Sequence, residues 1–174
     1  MKTFSEPGKY ELFVPRHEPF CVKGNDIEIV GPPNRVVISL EYTSNDNVMI
    51  IEGENITLRN IEFDIDFLTF SETSRQGSFY GVSCVDCRNL TFENCWMIVR
   101  CRTVGGFEGE GPSEVQYRVI DAKTCHDLTL ISTLADIRQT LPDGTIVRHV
   151  CGQNGSSLYV NGYAIVQPSF VVQS

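Results

Sequence analysis

The sequence predicts an all-β protein built from one repeated unit, and three observations lead to that prediction. Helical periodicity is almost absent from the 174 residues. Short runs of Val, Ile, Thr and aromatic residues are instead separated by Gly, Asn, Asp and Ser, which is the pattern of strands joined by turns. A short motif also recurs along the chain about every 30 residues.

The recurring motif superposes without gaps in five places. An Asp, Asn or Ser precedes an aliphatic residue each time, and such side chains bond nearby backbone and tolerate bends. A second apolar residue follows two positions later, so the two share one buried face of a strand. The first aliphatic residues are Ile27, Ile56, Leu90, Leu128 and Leu158, at spacings of 29, 34, 38 and 30 residues.

A second strand is predicted before each motif, with a corner between the two strands. Its inward positions include Cys21, Ile50 and Cys84, six residues before the aliphatic. The corner lies three residues before the aliphatic, where small residues such as Gly53 and Cys87 occur. Strand, corner, strand and bend at this period predict one coil of a parallel β-solenoid, in which like positions stack about 4.8 Å apart.

The stacked pattern resembles the right-handed parallel β-helix family, which is pectin-lyase-like. Residues 55–60 (N-I-T-L-R-N) and 89–94 (N-L-T-F-E-N) are the closest matches to the short-coil repeats of that family. The resemblance implies a single-stranded right-handed parallel β-helix of about five coils with terminal caps, whereas a two-sheet sandwich is the alternative. It implies no function, because this scaffold carries enzymes, tailspikes, adhesins and binding modules.

A single domain is expected, since 174 residues is close to the usual size of one folding unit. Residues 1–18 are predicted to form an N-terminal cap, residues 19–166 the coils and residues 167–174 a C-terminal cap. Caps are expected because the end coils would otherwise expose strand edges. Three insertions interrupt the repeat, at residues 65–80, 101–117 and 137–146.

Charge and hydropathy restrict the function classes. A net charge of −8 argues against general nucleic-acid binding and leaves cationic partners, or mimicry of an acidic ligand, open. No apolar run approaches the length of a membrane helix, and the N-terminus has no apolar signal core. We therefore expect a cytoplasmic protein, inside the host cell for a viral one; a virion or secreted protein exported by another route would look similar.

The seven cysteines do not require a metal. Cys84 and Cys87 form a CxxC, but alternation points the two in different directions and no second CxxC exists. Cys87 and Cys125 share the corner column, and with His126 they offer three ligands where zinc needs four. Structural thiols are predicted, with no metal and no cofactor, and a Cys87–Cys125 disulfide is compatible with the expected spacing under oxidation.

Four charged residues are the candidate binding positions. Asp86, Arg88, Asp121 and Lys123 are predicted to face outward on neighbouring coils, where enzymes of the family cut acidic polysaccharides. The hydrolase motifs of the family are absent, because the chain has no Asp-Asp pair, no Gly-His-Gly and no Arg-Ile-Lys. We predict no catalytic residue and interpret these positions as a charged, solvated face.

The early coils are predicted to be apolar on both faces. Phe20, Met49, Ile51 and Val85 fall at outward positions of that register, and an outward apolar face must be covered. The N-terminal segment or an insertion would cover it within the chain. Otherwise this face is an interface in a homo-oligomer or with another partner.

The function predicted from sequence is therefore a non-catalytic β-helix module that recognises a protein or glycan partner. The small size would suit an accessory protein encoded by a virus or phage. The alternative is a small polysaccharide lyase or hydrolase that acts in a lateral groove.

Overall fold

The chain is all-β, and most of its strand pairs are parallel. The structure is a computed structural model and describes residues 1–41, 49–66, 77–102, 115–121, 124–140, 146–151, 159–160, 163–164 and 170–173. The strands are β1 (Lys2–Phe4), β2 (Gly8–Glu11), β3 (Phe20–Lys23), β4 (Ile27–Val30), β5 (Val36–Glu41), β6 (Met49–Arg59), β7 (Ile61–Asp66), β8 (Gly77–Glu93), β9 (Trp96–Arg102), β10 (Val115–Asp121), β11 (His126–Ile131), β12 (Leu134–Thr140), β13 (Ile146–Cys151), β14 (Tyr159–Val160), β15 (Tyr163–Ala164) and β16 (Phe170–Gln173).

These strands form three sheets within the described residues. The first sheet has nine strands in the order β1-β3-β6-β8-β11-β16, with β2 beside β4, β4 also beside β6, and β10 beside β8. The second has five strands in the order β13-β12-β9-β7-β5, and β14 pairs with β15 separately. Antiparallel pairing occurs between β12 and β13 and between β14 and β15. The chain alternates between the first two sheets, so strands of successive repeats become neighbours.

The register of the repeated motif is confirmed for its first four copies. Ile27 lies opposite Ile56, Ile56 opposite Leu90, and Leu90 opposite Leu128. All four side chains are buried. The residues two positions later are also buried and in register, as alternation predicts; they are Ile29, Leu58, Phe92 and Leu130.

The Asn and Asp residues before each aliphatic hold the chain in a left-handed bend. The φ angles are 57° at Asp26, 54° at Asn55, 52° at Asn89 and 60° at Asp127. Asn and Asp reach this region more readily than other side chains, because they bond locally. Asn55 Nδ2 donates to Asp26 Oδ1 at 2.9 Å, and Asn89 Nδ2 donates to Asn55 Oδ1 at 3.0 Å. The bends thus form a hydrogen-bonded ladder across repeats.

A second ladder marks the bend between the two sheets. Asn60, Asn94 and Ser132 adopt φ angles of 57°, 50° and 46°. Asn94 Nδ2 donates to Asn60 Oδ1 at 2.7 Å, and Asn60 Nδ2 donates to the carbonyl oxygen of Gly31 at 3.2 Å. Both turns of the repeat are therefore fixed by the same side-chain chemistry.

One apolar core lies between the first and second sheets. Phe92 of the first sheet meets Phe63 of the second edge to face, with ring centroids 6.3 Å apart. At the start of the chain, Phe4 packs against Tyr10 and Phe20, with centroids at 4.8 and 5.5 Å. Since β1 pairs with β3 and β2 with β4, the N-terminal segment lies over the first repeat. Among the described residues, no helix is long and apolar enough to span a membrane.

The outward orientation predicted for Phe20, Met49 and Ile51 is wrong. All three side chains are fully buried in the core, whereas Val85 is 39% exposed as expected. The pairing of β6 with β8 shifts between Glu52 and Glu54, so Ile51 lies opposite Cys84. A one-residue shift exchanges the two faces of a strand. The sequence pattern assumes the same register on both sides of this bulge, and it therefore places these three side chains on the wrong face.

The fifth copy of the motif does not occupy the predicted place. The strand beside β11 is β16, which puts Phe170 opposite Leu128. Leu158 lies outside the described residues, and the next residues, Tyr159–Val160, pair with Tyr163–Ala164 instead. The tail segment Phe170-Val171-Val172 and the motif segment Leu158-Tyr159-Val160 are equally long and similarly β-prone, so composition alone does not decide which of them pairs with β11.

Gly53 is required at the corner that divides β6 into two halves. Its φ is 133°, and a Cβ there would collide with the backbone carbonyl oxygen of Gly24. Gly8 has a similar φ of 144°, but nothing lies within 4 Å of the place a Cβ would take. The two glycines share a backbone conformation and differ in the available space.

Gly53→Ala is therefore expected to lower the free energy of unfolding by about 3 kcal/mol or more, because a rigid backbone atom blocks the methyl group. Gly8→Ala carries backbone strain alone and should cost about 1–2 kcal/mol. Urea denaturation of both variants measures the difference. Equal losses would show that conformation, and not close approach, decides the residue at Gly53.

Candidate functional site

The binding residues predicted from sequence are only partly described. Asp86 and Arg88 are exposed near the corner in β8, and Arg88 Nε lies 3.8 Å from Glu54 Oε1. The backbone of Asp121 pairs with that of Ser83, but its side chain lies outside the described residues. Lys123 lies outside them entirely. The joint site of all four residues stays a prediction.

A more closely connected set of charges lies on the second sheet. We define the second-sheet cluster as Asp64, Asp66, Arg100, Asp136 and Arg138. They occupy alternate positions of β7, β9 and β12, whose core-facing neighbours include Ile65 and Val99. Asp64 lies opposite Ile98 and Ile98 opposite Asp136, while Asp66 lies opposite Arg100 and Arg100 opposite Arg138. The register thus gathers five charges from three strands.

Arg100 joins the two carboxylates of β7. Its Nη1 lies 2.7 Å from Asp64 Oδ1, and its Nε lies 3.4 Å from Asp66 Oδ2. Contact with Asp64 is the main cause of the raised pKa of Arg100, and burial opposes it. All three side chains are at most one-third exposed, so solvent screens these ion pairs less than it screens surface pairs.

The third carboxylate of the cluster is deeply buried. Asp136 has an exposed side-chain fraction of 6%, and its Oδ2 accepts a hydrogen bond from Arg138 Nη2 at 3.0 Å. Asp64 Oδ1 is also shielded from water and has an ion-pair contact without an aligned hydrogen bond. The second-sheet cluster therefore contains three carboxylates and two guanidinium groups.

An arginine on the preceding loop supports the start of β9 beside this cluster. The guanidinium of Arg35 stacks 3.9 Å above the ring of Trp96. Its Nη2 donates to Asn94 Oδ1 at 2.6 Å, and its Nε donates to the carbonyl oxygen of Asn94 at 3.0 Å. Arg35 itself has a φ of 68°, a conformation that these contacts hold in place. These contacts therefore hold the start of β9 in place beside the cluster.

Sequence reasoning found only part of this site. The sequence shows Asp64 and Asp66 as a pair at the start of an insertion, but it does not connect them with Arg100, Asp136 and Arg138. Insertions follow β7 and β9, so the copies of the motif could not be aligned with one another beyond the bend at Asn60 and Asn94. The usable signal was polar residues at alternate positions of Ile61–Asp66 and Leu134–Thr140, which marks a strand with one outward face.

Three thiols meet at the corner of the first sheet. Cys84 and Cys87 are buried and Cys125 is partly exposed, and none of them is in a disulfide. The thiol of Cys87 donates to the carbonyl oxygen of Ile51 at 3.2 Å, and that of Cys125 donates to the carbonyl oxygen of Cys84 at 3.4 Å. The register that the sequence predicted for Cys87 and Cys125 is thus consistent with their contacts.

Among the residues that the structure describes, no group of three or more His, Cys, Asp and Glu side chains is arranged to hold a metal ion. The thiols instead bond backbone carbonyls of the preceding repeat. Thr133 binds the carbonyl oxygens of Phe92 and Ile131 in the way that Cys95 binds those of Leu58 and Glu93. Hydroxyl and thiol are therefore interchangeable in that column.

Comparison of the chain with protein-family models, with curated proteins and with solved structures finds no match. Any function must therefore be argued from the geometry itself.

Arg100→Met is expected to lower the free energy of unfolding by about 1–2 kcal/mol, because it leaves two half-buried carboxylates without their cation. Arg88→Met makes the same change where the guanidinium is 66% exposed. That control should stay within about 0.5 kcal/mol of the parent protein. Urea titrations of both variants at low salt give the comparison, and equal effects would mean that the second-sheet cluster is only a surface ion pair.

Proposed function

We propose that this chain is a non-catalytic binding module with the architecture of a right-handed parallel β-helix of about five coils with terminal caps. Parallel pairing of successive repeats supports this architecture, as do the left-handed bends that recur at Asn and Asp. In such a module, like positions of successive coils form flat lateral faces. Binding through one of these faces is the function that the geometry favours.

The second-sheet cluster is the observation that carries the proposal. Exposed ion pairs add little stability, and partly buried ones are often no better than apolar residues of similar size. Val, Ile or Thr at these outward positions would fit a strand at lower cost. Five charges on three adjacent strands are therefore better explained by recognition than by folding.

The charge of the chain indicates the partner class. Its net charge of −8 attracts cationic groups and repels phosphate or uronic-acid polymers. Of the two partners expected from sequence, a protein with a basic surface is therefore favoured over a glycan. Homo-oligomerisation through the apolar early strands loses its support, since Phe20, Met49 and Ile51 are buried.

A reducing compartment such as the cytoplasm is part of the same proposal. None of the cysteines whose side chains are described is in a disulfide. Free buried thiols are typical of proteins kept reduced inside cells.

A second candidate function is a small polysaccharide lyase or hydrolase. One observation favours it, which is that Asp64 and Asp66 lie on the same face as Arg100. A lyase needs a base and a cation that neutralises a uronic acid, and a hydrolase needs paired carboxylates. Against the enzyme function, Arg100 already contacts both carboxylates. It therefore occupies the place that a charged group of the substrate would take.

The binding proposal is tested on an array that carries basic peptides beside neutral and acidic oligosaccharides. We expect binding to basic peptides, and we expect it to weaken as salt is raised. The double variant Asp64→Asn/Asp66→Asn should bind these peptides at least about tenfold more weakly, because it removes from the second-sheet cluster the two carboxylates that Arg100 joins.

The matched control is Glu52→Gln/Glu54→Gln, which removes the same two charges from the first sheet, where both side chains are about half exposed. It should bind as the parent protein does. If both double variants weaken binding equally, net charge and not the second-sheet cluster is responsible, and the proposed site is wrong.

Turnover of a polysaccharide panel distinguishes the two candidate functions. The binding module should release no product above the buffer blank. Product that forms with the parent protein and is lost in Asp66→Asn, while the fold is retained by circular dichroism, would replace the binding proposal with the enzyme.

A further inference from the structure

Cys87, in β8, and Cys125, in the turn just before β11, occupy matching positions of successive repeats. His126 lies opposite Arg88, and the amide of Asp86 donates to Thr124 Oγ1 at 2.8 Å, so contacts between the two repeats flank both cysteines. Neighbouring repeats in such a sheet lie about 4.8 Å apart, which is within the range of Cα distances that a disulfide spans. The two thiols are close enough for each to change the pKa of the other.

The two thiols differ in their access to solvent. Cys87 is fully buried, whereas Cys125 is partly exposed just before β11. Contacts with the thiols of Cys84 and Cys87 lower the pKa of Cys125, and burial opposes this. The contact with Cys125 and burial raise the pKa of Cys87. The exposed member of the pair is the one that ionises and reacts.

We propose that Cys125 is an oxidation site for hydroperoxides and that Cys87 is its resolving thiol. The Cys125 thiolate attacks one oxygen of hydrogen peroxide, the O–O bond breaks, and hydroxide leaves as the sulfenic acid forms. Cys87 then attacks the Cys125 sulfur. The S–O bond breaks, the S–S bond forms, and the proton of Cys87 leaves with the departing hydroxide as water. Two thiols are oxidised and one peroxide is reduced to two waters.

In the reduced protein both thiols donate to backbone carbonyl oxygens of the preceding repeat, so the disulfide replaces these two hydrogen bonds. The proposal is independent of partner binding, because neither cysteine belongs to the second-sheet cluster.

The other described thiols are poorer candidates. Cys95 is buried in a separate column, and burial raises its pKa to about 12. Cys84 also contacts Cys125, but it does not share the matching position of the repeat that Cys87 and Cys125 occupy. A link between Cys87 and Cys125 joins two repeats that are already paired.

The test treats the reduced full-length protein with hydrogen peroxide at pH 7 and maps cysteines by mass spectrometry without reductant. We expect a peptide pair linked through Cys87 and Cys125, and a dithiol reductant should reverse the link. Cys87→Ser should leave Cys125 as a sulfenic acid that dimedone traps. Cys95→Ser is the control and should form the same link as the parent protein.

Time-resolved alkylation of the unmodified protein with iodoacetamide keeps the proposal testable if a serine variant fails to fold. Cys125 should react at least about tenfold faster than Cys84, Cys87 and Cys95. A disulfide to any cysteine other than Cys87, or a Cys125 that neither oxidises nor reacts faster than the buried thiols, would overturn the proposal.

Discussion

The structure depends on parallel strands that stay in register from one repeat to the next. The residues that keep this register are Asp26, Asn55, Asn89 and Asp127, each held in the left-handed region. Because side chains alternate with a period of two, an error of one residue at any bend would move every following apolar residue from the core to the surface. The side-chain ladder opposes that error, since each amide bonds the same atom of the preceding repeat.

The same register brings the residues of both candidate sites together. Asp66 and Arg100 are 34 residues apart in sequence and lie opposite each other on neighbouring strands, and Cys87 and Cys125 are 38 apart and occupy matching positions of successive repeats. A repeat brings such residues together without any local motif that joins them. Both candidate sites therefore combine residues of different repeats and not residues of one contiguous segment.

Sequence alone was enough for the parts of the fold that alternation controls. The buried column from Ile27 to Leu128 needed only the period-two pattern and a bend before each aliphatic. It was not enough for Phe20, Met49 and Ile51, because both faces of their strands are apolar and a bulge shifts the pairing. Nor was it enough for the last strand of the first sheet. Two segments, β16 and the fifth motif copy, could pair with β11, and the order of elements along the chain does not favour either of them.

One additional residue in β8 accounts for several of these features together. The pairing with β6 shifts between Glu52 and Glu54, and Asp86 on the opposite strand adopts a φ of 49° to accommodate the excess. In the earlier repeats the corner holds Gly24 and Gly53, which approach so closely that Gly53 has no room for a Cβ.

At the bulge, Cys87 takes the corner position that Gly24 and Gly53 hold in the earlier repeats, and its sulfur lies near the carbonyl oxygen of Ile51. Cys125 follows in the next repeat with the same orientation, toward the carbonyl oxygen of Cys84. The two cysteines of the proposed disulfide thus replace the glycines of the earlier corners, and the replacement begins where the strand pairing is irregular.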